Sequence, residues 1–422
     1  MKESAYQLYV GIDWATEAHQ VCVAGADGEI RAERAVEHSG NGITRFIDWL
    51  IELAEGEAGR IAVAIETPRG ALVEMLLDRG LAVYAINPKQ LDRFRDRHTV
   101  AGAKDDRLDA YVLADSLRTD RHCFRLVAID DPLVIELREF SRMDEDLKAE
   151  KSRLSNRLRE QIYRFFPQML RSCPAADEAW LWDLAELIPT PAHARSVRPA
   201  RVSKLLQKHR IRRFSAEELL TELRTPPVQV ANGTTQAARA HIALLLPRLR
   251  LVHSQLLQAQ RRIESLLDQI GTAGDDEGQK HEHRDAEIIL SIPGIGIIVT
   301  ATMLGEASQA IAERNYDALR AHSGVAPVTR RSGKRKLVLR RHACNPRLAQ
   351  ALYHASRVHS QCDPTARALY AALRQRGHSH GRALRTIGDR LIRILVAMLR
   401  TGTLYDATRF STTRGDTTLI AA

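Results

Sequence analysis

Cysteine, aromatic side chains and long apolar runs are all scarce in this chain of 422 residues. Its five cysteines are scattered and none is spaced from another as Cys-x-x-Cys, so we predict neither a disulfide framework nor a zinc site. Such cysteine usage is typical of a reducing cytoplasm. No uncharged apolar stretch reaches the about 20 residues that a membrane span needs, and the first residues lack a signal peptide's apolar stretch. We therefore expect a folded cytoplasmic protein of two or three domains, with no membrane partner.

Acidic residues are missing from one long stretch of the chain. The net charge is +10, and residues 318–362 contain ten Lys and Arg but no Asp or Glu. On a basic surface that is merely solvated, acidic residues normally alternate with the Lys and Arg residues. A basic block without acidic residues is instead typical of nucleic-acid binding. The candidate contacts in this block are Arg330, Arg331, Lys334, Arg335, Lys336, Arg340 and Arg341.

Periodicity in the first 125 residues predicts an α/β domain. Apolar and alternating runs indicate strands, 3.6-residue periods indicate helices, and Asp27-Gly28 is a hairpin signal. In chain order the pattern predicts strands at 8–13, 19–24 and 29–36, a helix at 44–53, a strand at 60–66, a helix at 71–78, a strand at 81–86 and further helix to about 117. This element order is that of the ribonuclease H-like fold.

Four carboxylates fall at informative positions in that order. Asp13 and Glu66 end the first and fourth strands, which are neighbours at the centre of such a sheet. The crevice beyond the carboxyl ends of the strands is where open α/β sheets bind ligands. The last helix would bring Asp106 and Asp109, an i, i+3 pair, to the same crevice. Converging carboxylates need cations, and hard oxygen ligands suit Mg²⁺, two of which can clamp a phosphodiester.

Each acid also has an ordinary explanation. Asp13 could be a polar strand end, Glu66 a helix cap, and the pair Asp106 and Asp109 a solvated helix N-terminus. A different functional class also begins this way. Sugar kinases and actin-like ATPases, which are phosphotransferases, open with a strand followed by Gly-Ile-Asp, close to Gly11-Ile12-Asp13 here. Those proteins carry a second domain with glycine-rich nucleotide loops, and no such loop follows residue 125.

Two long heptad-like patterns follow residue 132. Apolar positions within 133–165 and 242–270 predict two long helices that pack as a coiled-coil hairpin, an arm suited to assembly or to lying along nucleic acid. Pro247 should kink the second helix or mark its true start. The residues between them, 168–236, indicate a small helical insertion. The predicted domains are therefore 1–125, 126–272 with that insertion, and 273–422, which is mainly helical.

The third domain opens with a predicted helix-hairpin-helix. Ile292-Pro293-Gly294-Ile295-Gly296 separates two apolar helical stretches. Glycines there would let backbone N–H groups at a helix N-terminus approach a phosphate, so Gly294 and Gly296 are candidate DNA contacts. A tight packing turn between helices is the alternative explanation.

Ser332 lies inside the basic block, between Arg331 and Gly333. A serine in a glycine-containing turn is normally only turn chemistry. This one is flanked by five cations, which could stabilise charge on phosphoryl oxygens while the hydroxyl forms a phosphoester. Ser332 is therefore a candidate nucleophile.

Together these motifs resemble one family, the DEDD transposases of the insertion-sequence one-ten and eleven-eleven groups, relatives of the pilin-gene inverting recombinases. The shared motifs are Gly11-Ile12-Asp13, Ile65-Glu66-Thr67, the Lys-x-Asp-x-x-Asp-Ala of 104–110, Ile292-Pro293-Gly294-Ile295-Gly296, and Ser332-Gly333 with its basic run. The family's usual Lys-Thr-Asp is Lys104-Asp105-Asp106 here, so Asp105 competes with Asp106 as a metal ligand. We prefer Asp106, since only it keeps the i, i+3 pair.

The resemblance implies a DNA recombinase with a RuvC-like domain and a C-terminal transposase domain. It further implies that Asp13, Glu66, Asp106 and Asp109 hold Mg²⁺ and that Ser332 is the nucleophile. Donor and target duplex DNA would be substrates, and a structured guide RNA would be a partner. Dimers or tetramers would build composite sites from different protomers, in a prokaryotic cytoplasm and at the nucleoid when active. Alternatives are a junction-resolving nuclease that uses metal-activated water, an actin-like phosphotransferase, and a nucleic-acid-binding protein with a decayed site.

Overall fold

The computed structural model describes residues 6–97, 105–128, 131–272, 282–333 and 335–410. The chain forms two compact units, Met1–Asp130 and Asp131–Ala422. Among the described residues, no helix combines the length and the apolar composition needed to cross a bilayer.

The first unit is built on a mixed six-stranded sheet. Its strands are β1 (Leu8–Asp13), β2 (Ala18–Gly25), β3 (Ile30–Glu37), β4 (Ile61–Ile65), β5 (Ala82–Ala85) and β6 (Arg125–Leu126). They lie in the order β3-β2-β1-β4-β5-β6. β4 runs parallel to both β1 and β5, and the other three pairings are antiparallel. The predicted neighbourhood of the first and fourth strands is confirmed, whereas the two-residue edge strand β6 was not predicted.

Four helices cover the two faces of this sheet. They are α1 (Gly40–Leu53), α2 (Ala71–Asp78), α3 (Pro88–Arg95) and α4 (Asp106–Thr119). Alternation along β1 divides the core: Val10 and Ile12 pack with α1 and α2, whereas Tyr9 packs with α3 and α4 on the opposite face. Burial of both faces explains why β1 and β4 are almost continuously apolar.

The second unit begins with two long helices and the insertion between them. Its first helices are α5 (Pro132–Phe165), α6 (Ala179–Leu187), α7 (Pro191–Ser196), α8 (Pro199–Lys208), α9 (Ala216–Leu223) and α10 (Thr234–Thr272). The predicted insertion is thus helical, and its core, around Trp180 and Trp182, packs on α5 and α10.

The helices α5 and α10 pack antiparallel along the predicted apolar positions. Arg262 of α10 binds Glu136 near the start of α5, and Gln260 binds the buried Asp144 two turns later. All nine predicted seam residues of α10 are buried: Ile242, Leu245, Leu249, Val252, Leu256, Ala259, Ile263, Leu266 and Ile270. Helix α10 begins well before Pro247 and continues through it, so the prediction that this proline could mark the true start was wrong.

The rest of the second unit is mainly helical, as predicted. It comprises α11 (Glu282–Leu290), α12 (Ile297–Ala312), α13 (Tyr316–His322), β7 (Val328–Ser332), β8 (Arg335–Leu339), α14 (Pro346–Cys362), α15 (Pro364–Gln375), α16 (His380–Thr401) and α17 (Ala407–Phe410). One core joins Leu137 of α5, Ile263 of α10, Met303 of α12 and Leu391 of α16. The predicted division into domains at 125 and 272 stays a prediction. The hairpin β7–β8 was not predicted.

Candidate active site and nucleic-acid interface

Strands β1 and β4 bring Asp13 and Glu66 to the same edge and face of the sheet. Ile12 pairs in register with Ile65, so the next residues, Asp13 and Glu66, follow at the same level. Neighbouring strands lie about 4.8 Å apart. Gly11 and Ala64 are on the face covered by α4, and residues two positions further along a strand return to that face. Both acids therefore occupy the α4 side of the sheet.

Helix α4 is held against β1 at Gly11, and its direction places its N-terminus beside Asp13. A Cβ at Gly11 would lie only 1.9 Å from the Ala110 carbonyl oxygen, so only glycine permits this approach. At the other end of the helix, Arg118 lies beside Gly28 in the β2–β3 turn, below the start of β1. The helix thus runs opposite to β1. Its first turn, with Asp106 and Asp109, lies towards the strand end that carries Asp13.

The three acids of this first turn have different environments. Asp105 is the N-cap residue, and its carboxylate accepts a hydrogen bond from the backbone N–H of Arg107 at 3.1 Å. Asp106 is exposed, whereas Asp109 is only 3% exposed. Because Asp105 has a capping role, the arrangement favours Asp106 as the partner of Asp109.

Arg95 compensates the buried charge of Asp109, and the sequence analysis did not identify it. Its Nε lies 2.6 Å from Oδ1 of Asp109, and another guanidinium nitrogen lies 2.9 Å from Asp92. The hydrogen bond to Asp109 is the largest cause of the raised pKa of Arg95. A buried carboxylate needs such a partner. No local pattern indicates Arg95, because it lies at the end of α3 whereas Asp109 lies in α4.

A histidine pair adjoins the loop that follows Asp13. The buried His19 accepts a hydrogen bond at Nδ1 from the Ala15 N–H, 3.2 Å away, and its Nε2 lies 2.9 Å from Nδ1 of His38. Since Nδ1 of His19 accepts, its Nε2–H donates to His38 when the pair is neutral. Burial, and secondarily the charge of His38, lower the pKa of His19. The pair ties the loop after Asp13 to β2 and was not identified from the sequence.

Three further potential metal ligands lie at the C-terminal end of α4. Atoms of Asp120, His122 and Cys123 lie within 4.8 Å of one another, the one such group of three found among the described residues. Among the described residues, therefore, no three of the four predicted acids have carboxylate oxygens within that distance of one another. Arg97 already binds Asp120 at 2.9 Å; hydrogen bonds from Thr119 and Arg97 lower the pKa of this acid.

The two glycines of the predicted helix-hairpin-helix have different surroundings. Gly294 has φ +95°, and a Cβ there would lie 2.6 Å from the backbone nitrogen of His359. Nδ1 of His359 donates to the Pro293 carbonyl oxygen at 2.7 Å. Packing against α14 thus accounts for Gly294 without a ligand. Gly296 caps α12 with open space around it, so it is the better placed of the two for a phosphate.

Ser332 lies at the tip of the exposed β7–β8 hairpin. It is the last residue of β7 and pairs with Arg335. Gly333 follows at φ +55°, a left-handed conformation that favours glycine. Alternation places Arg330 on the same face as Ser332 and Arg331 on the opposite face. Lys334 lies outside the described residues, as do the side chains of Arg335 and Lys336.

Two arginines of the basic block are neutralised. Arg320 binds Asp389 at 3.0 Å, and Arg347 binds Glu145 at 2.6 Å. Across the part of the chain that the structure describes, the arginines of this block without a carboxylate within ion-pair distance are Arg330, Arg331, Arg340, Arg341 and Arg357. The unpaired charge is thus concentrated on the hairpin and the segments that follow it.

Comparison with known proteins gives matches to both units. A DEDD transposase model of the IS110 type matches residues 10–167, and a transposase model of the IS116/IS110/IS902 family matches residues 286–371. The mini-circle putative transposase for IS117 of Streptomyces coelicolor is 31% identical over 97% of this chain and 98% of its own length. The chain belongs to the IS110 family of transposases.

Other relatives agree with this assignment. The putative transposase y4uE of Sinorhizobium fredii is 52% identical over 49% of this chain, a match that spans 58% of that protein. An IS900 protein of Mycobacterium paratuberculosis is 26% identical over 95% of this chain. As a member of the IS110 family the protein is an enzyme, a DNA transposase.

The matched regions of this IS110-family transposase contain its candidate residues. Residues 10–167 include the four acids and α5, and residues 286–371 include both glycines, Ser332 and the basic block. The insertion and α10 lie in neither region.

Proposed function

We propose that this transposase cuts and rejoins duplex DNA, using Mg²⁺ held by Asp13, Glu66, Asp106 and Asp109 and the hydroxyl of Ser332 as nucleophile. The observation that supports the proposal is the antiparallel packing of α4 on β1 at Gly11, together with the parallel register of β1 and β4. Acids that end these two strands and begin this helix are then expected at one edge of the sheet. A RuvC-like arrangement of the first unit is part of the same proposal.

The donor set fits a hard divalent cation. All four candidate ligands are carboxylates, which suit Mg²⁺ better than a softer metal. When bound, Mg²⁺ would neutralise charge developing on the phosphoryl oxygens and on the leaving oxygen. Arg95 contacts only Oδ1 of Asp109, which leaves the other carboxylate oxygen for a ligand role. Asp13 and Glu66, which follow paired residues of β1 and β4, would hold the ion at a fixed place beside the sheet.

The serine step conserves the phosphodiester energy. Oγ of Ser332 forms a bond to phosphorus, the bond from phosphorus to one deoxyribose oxygen breaks, and that oxygen takes up a proton as the serine proton leaves. The reverse attack by another deoxyribose hydroxyl rejoins the strand and releases the serine. One phosphoester replaces another at each stage, so no ATP is needed. The exposure of Ser332 at a hairpin tip supports its access to DNA.

The nucleic-acid contacts proposed alongside it come from the basic block. Arg330 and Arg331 precede the serine, and Arg340 and Arg341 follow the hairpin. Outside this block, Gly296 is the N-cap of α12 and leaves its N-terminus without a side-chain hydrogen bond. Lys334, Arg335 and Lys336 would add charge at the tip. A structured guide RNA, and a dimer or tetramer joined along the proposed coiled-coil arm of α5 and α10, complete the proposal. Support for these two comes from the basic excess and the length of the helices.

The proposed metal site and the proposed nucleophile can be tested separately, by strand-exchange assays of an Asp→Asn variant and a Ser→Ala variant. Asp109→Asn should reduce cleavage at least about 100-fold in Mg²⁺, and Ser332→Ala should abolish strand exchange while DNA binding persists. The matched controls are Asp78→Asn and Ser152→Ala, both exposed in the structure. Wild-type protein should form a covalent adduct with a suicide substrate, and Ser332→Ala should not. Cleavage without an adduct would instead identify a nuclease that uses metal-activated water.

Mixing the two inactive variants tests the proposed composite site. If acids and serine of one site come from different protomers, a mixture of Asp109→Asn and Ser332→Ala proteins should recover part of the strand exchange. No recovery in mixed oligomers would show that both halves must come from one chain.

A further inference from the structure

We propose that a pocket walled by Arg340, Arg341 and Arg385 binds one phosphodiester of the DNA substrate. The pocket lies entirely in the second unit and has a cavity volume of about 120 Å³. One buried water needs only about 10–15 Å³ measured in this way, so a phosphate group has ample room. The inference rests on the proposed function, because it assigns the pocket to the DNA that Ser332 attacks.

Four segments of chain form the walls of this arginine pocket. Gly324 and Val325 follow α13, Arg340 and Arg341 follow β8, Tyr353 belongs to α14 and Arg385 belongs to α16; all line the cavity. The two helices are in tight contact beneath it, since a Cβ at Gly388 would lie 2.9 Å from Oγ of Ser356. Arg385 is therefore carried by a packed pair of helices, whereas Arg340 and Arg341 lie in the segment between β8 and α14.

The charge inside the arginine pocket is uncompensated. Among the described residues, no carboxylate lies within ion-pair distance of Arg340, Arg341 or Arg385, whereas Arg320 and Arg347 each have two. Burial, followed by the charges of Arg340 and Arg382, lowers the pKa of Arg385. The charges of Arg340 and Arg385 repel each other unless an anion joins them. Their planar donor forks match the oxygens of a phosphate.

The position of the pocket favours a phosphate of the DNA backbone as the bound anion. Arg340 directly follows β8 at the base of the hairpin that carries Ser332 at its tip. The four residue steps from Val328 to Ser332 span about 13 Å, or about four nucleotide steps along a duplex axis. A phosphate in the pocket would therefore anchor the strand a few nucleotides from the phosphodiester that Ser332 attacks.

DNA binding by charge-matched variants tests the arginine pocket. Arg385→Gln should weaken duplex binding about 10- to 100-fold and reduce the slope of log affinity against log salt by about 0.9. The control is Arg357→Gln, which removes an exposed charge from α14 outside the pocket and should have a smaller effect. Arg385→Lys should keep most of the salt slope but lose affinity, because it lacks the planar fork. Equal losses for Arg385→Gln and Arg357→Gln would overturn the proposal.

Inorganic phosphate gives a readout that needs neither DNA nor catalysis. At constant ionic strength, replacing chloride by phosphate should raise the Tm of the wild-type full chain and of Arg357→Gln, but not of Arg385→Gln. Without phosphate, Arg385→Gln should be at least as stable as wild type, because the substitution relieves repulsion. A less stable variant would show that Arg385 supports the fold, and the proposal would fail.

Two further measurements distinguish this proposal from the serine mechanism and from RNA binding. Ser332→Ala should keep the salt slope and the phosphate effect whether or not the serine is the nucleophile. If Arg385→Gln weakened binding of structured RNA but not of duplex DNA, the pocket would hold an RNA phosphate and the assignment to DNA would be wrong.

Discussion

The six-stranded sheet and the β7–β8 hairpin carry the two proposed halves of the chemistry, and they differ in how firmly they are held. Side chains on both faces of β1 and β4 are buried, including Val10, Ile12, Ala62 and Val63 at 0% exposure. On the hairpin, Leu337 is 46% exposed and Val338 is 53% exposed. The acids thus end strands inside a core, whereas the serine ends a strand that has solvent on both faces.

This difference agrees with what each half has to do. Metal ligands must be held within fractions of an ångström, which rigid elements achieve best. A two-stranded hairpin by itself is only marginally stable, so its final position is set by what it contacts. We infer that the sheet presents a preformed set of acids, whereas the position of the exposed hairpin is fixed by its contacts with nucleic acid or with another protomer.

The largest expected effect comes from adding one methyl group to a glycine in each region. Gly11→Ala should destabilise the protein by about 3 kcal/mol or more, because the new Cβ meets the backbone of α4. Gly333→Ala has open space and should cost only about 1 kcal/mol for its left-handed backbone. Chemical denaturation of both variants measures the contrast, with Gly59→Ala, also in open space, as the control. Similar losses for Gly11 and Gly333 would contradict it.

A smaller effect should follow from removing the partner of Asp109. Arg95→Gln leaves a buried carboxylate without its cation and should destabilise the first unit by about 1–3 kcal/mol. If Asp109 is a metal ligand, Mg²⁺ should restore more stability to this variant than to wild type. Thermal unfolding with Mg²⁺ and with a chelator measures this. An equal response of both proteins would count against the metal role of Asp109.

The smallest effect on stability is expected on the hairpin. Replacing Leu337 and Val338 together by threonine should change the free energy of unfolding by less than about 0.5 kcal/mol, since both side chains are exposed. The same change should weaken DNA binding or oligomer formation, measured by titration and by light scattering. A loss of stability above about 1 kcal/mol would show that the hairpin is already packed in the free protein.

Local periodicity was sufficient for every element whose burial repeats along its own sequence. The first five strands, the nine buried positions of α10 and the i, i+3 pair of Asp106 and Asp109 all follow from spacing of two, three or four residues. The edge strand β6 is too short for any period. The β7–β8 hairpin has exposed charges on both faces, so alternation does not reveal it.

The amino-acid sequence by itself determined the α/β character of the first unit, the long helices and the positions of the candidate acids and serine. Only the tertiary structure decided which groups meet: Arg95 on Asp109, Gly294 against His359, and Arg385 beside Arg340. Each of these contacts joins different elements, and no periodicity encodes them. The physical reason is that secondary structure depends on neighbouring residues, whereas charge compensation and close packing depend on where whole elements come to rest.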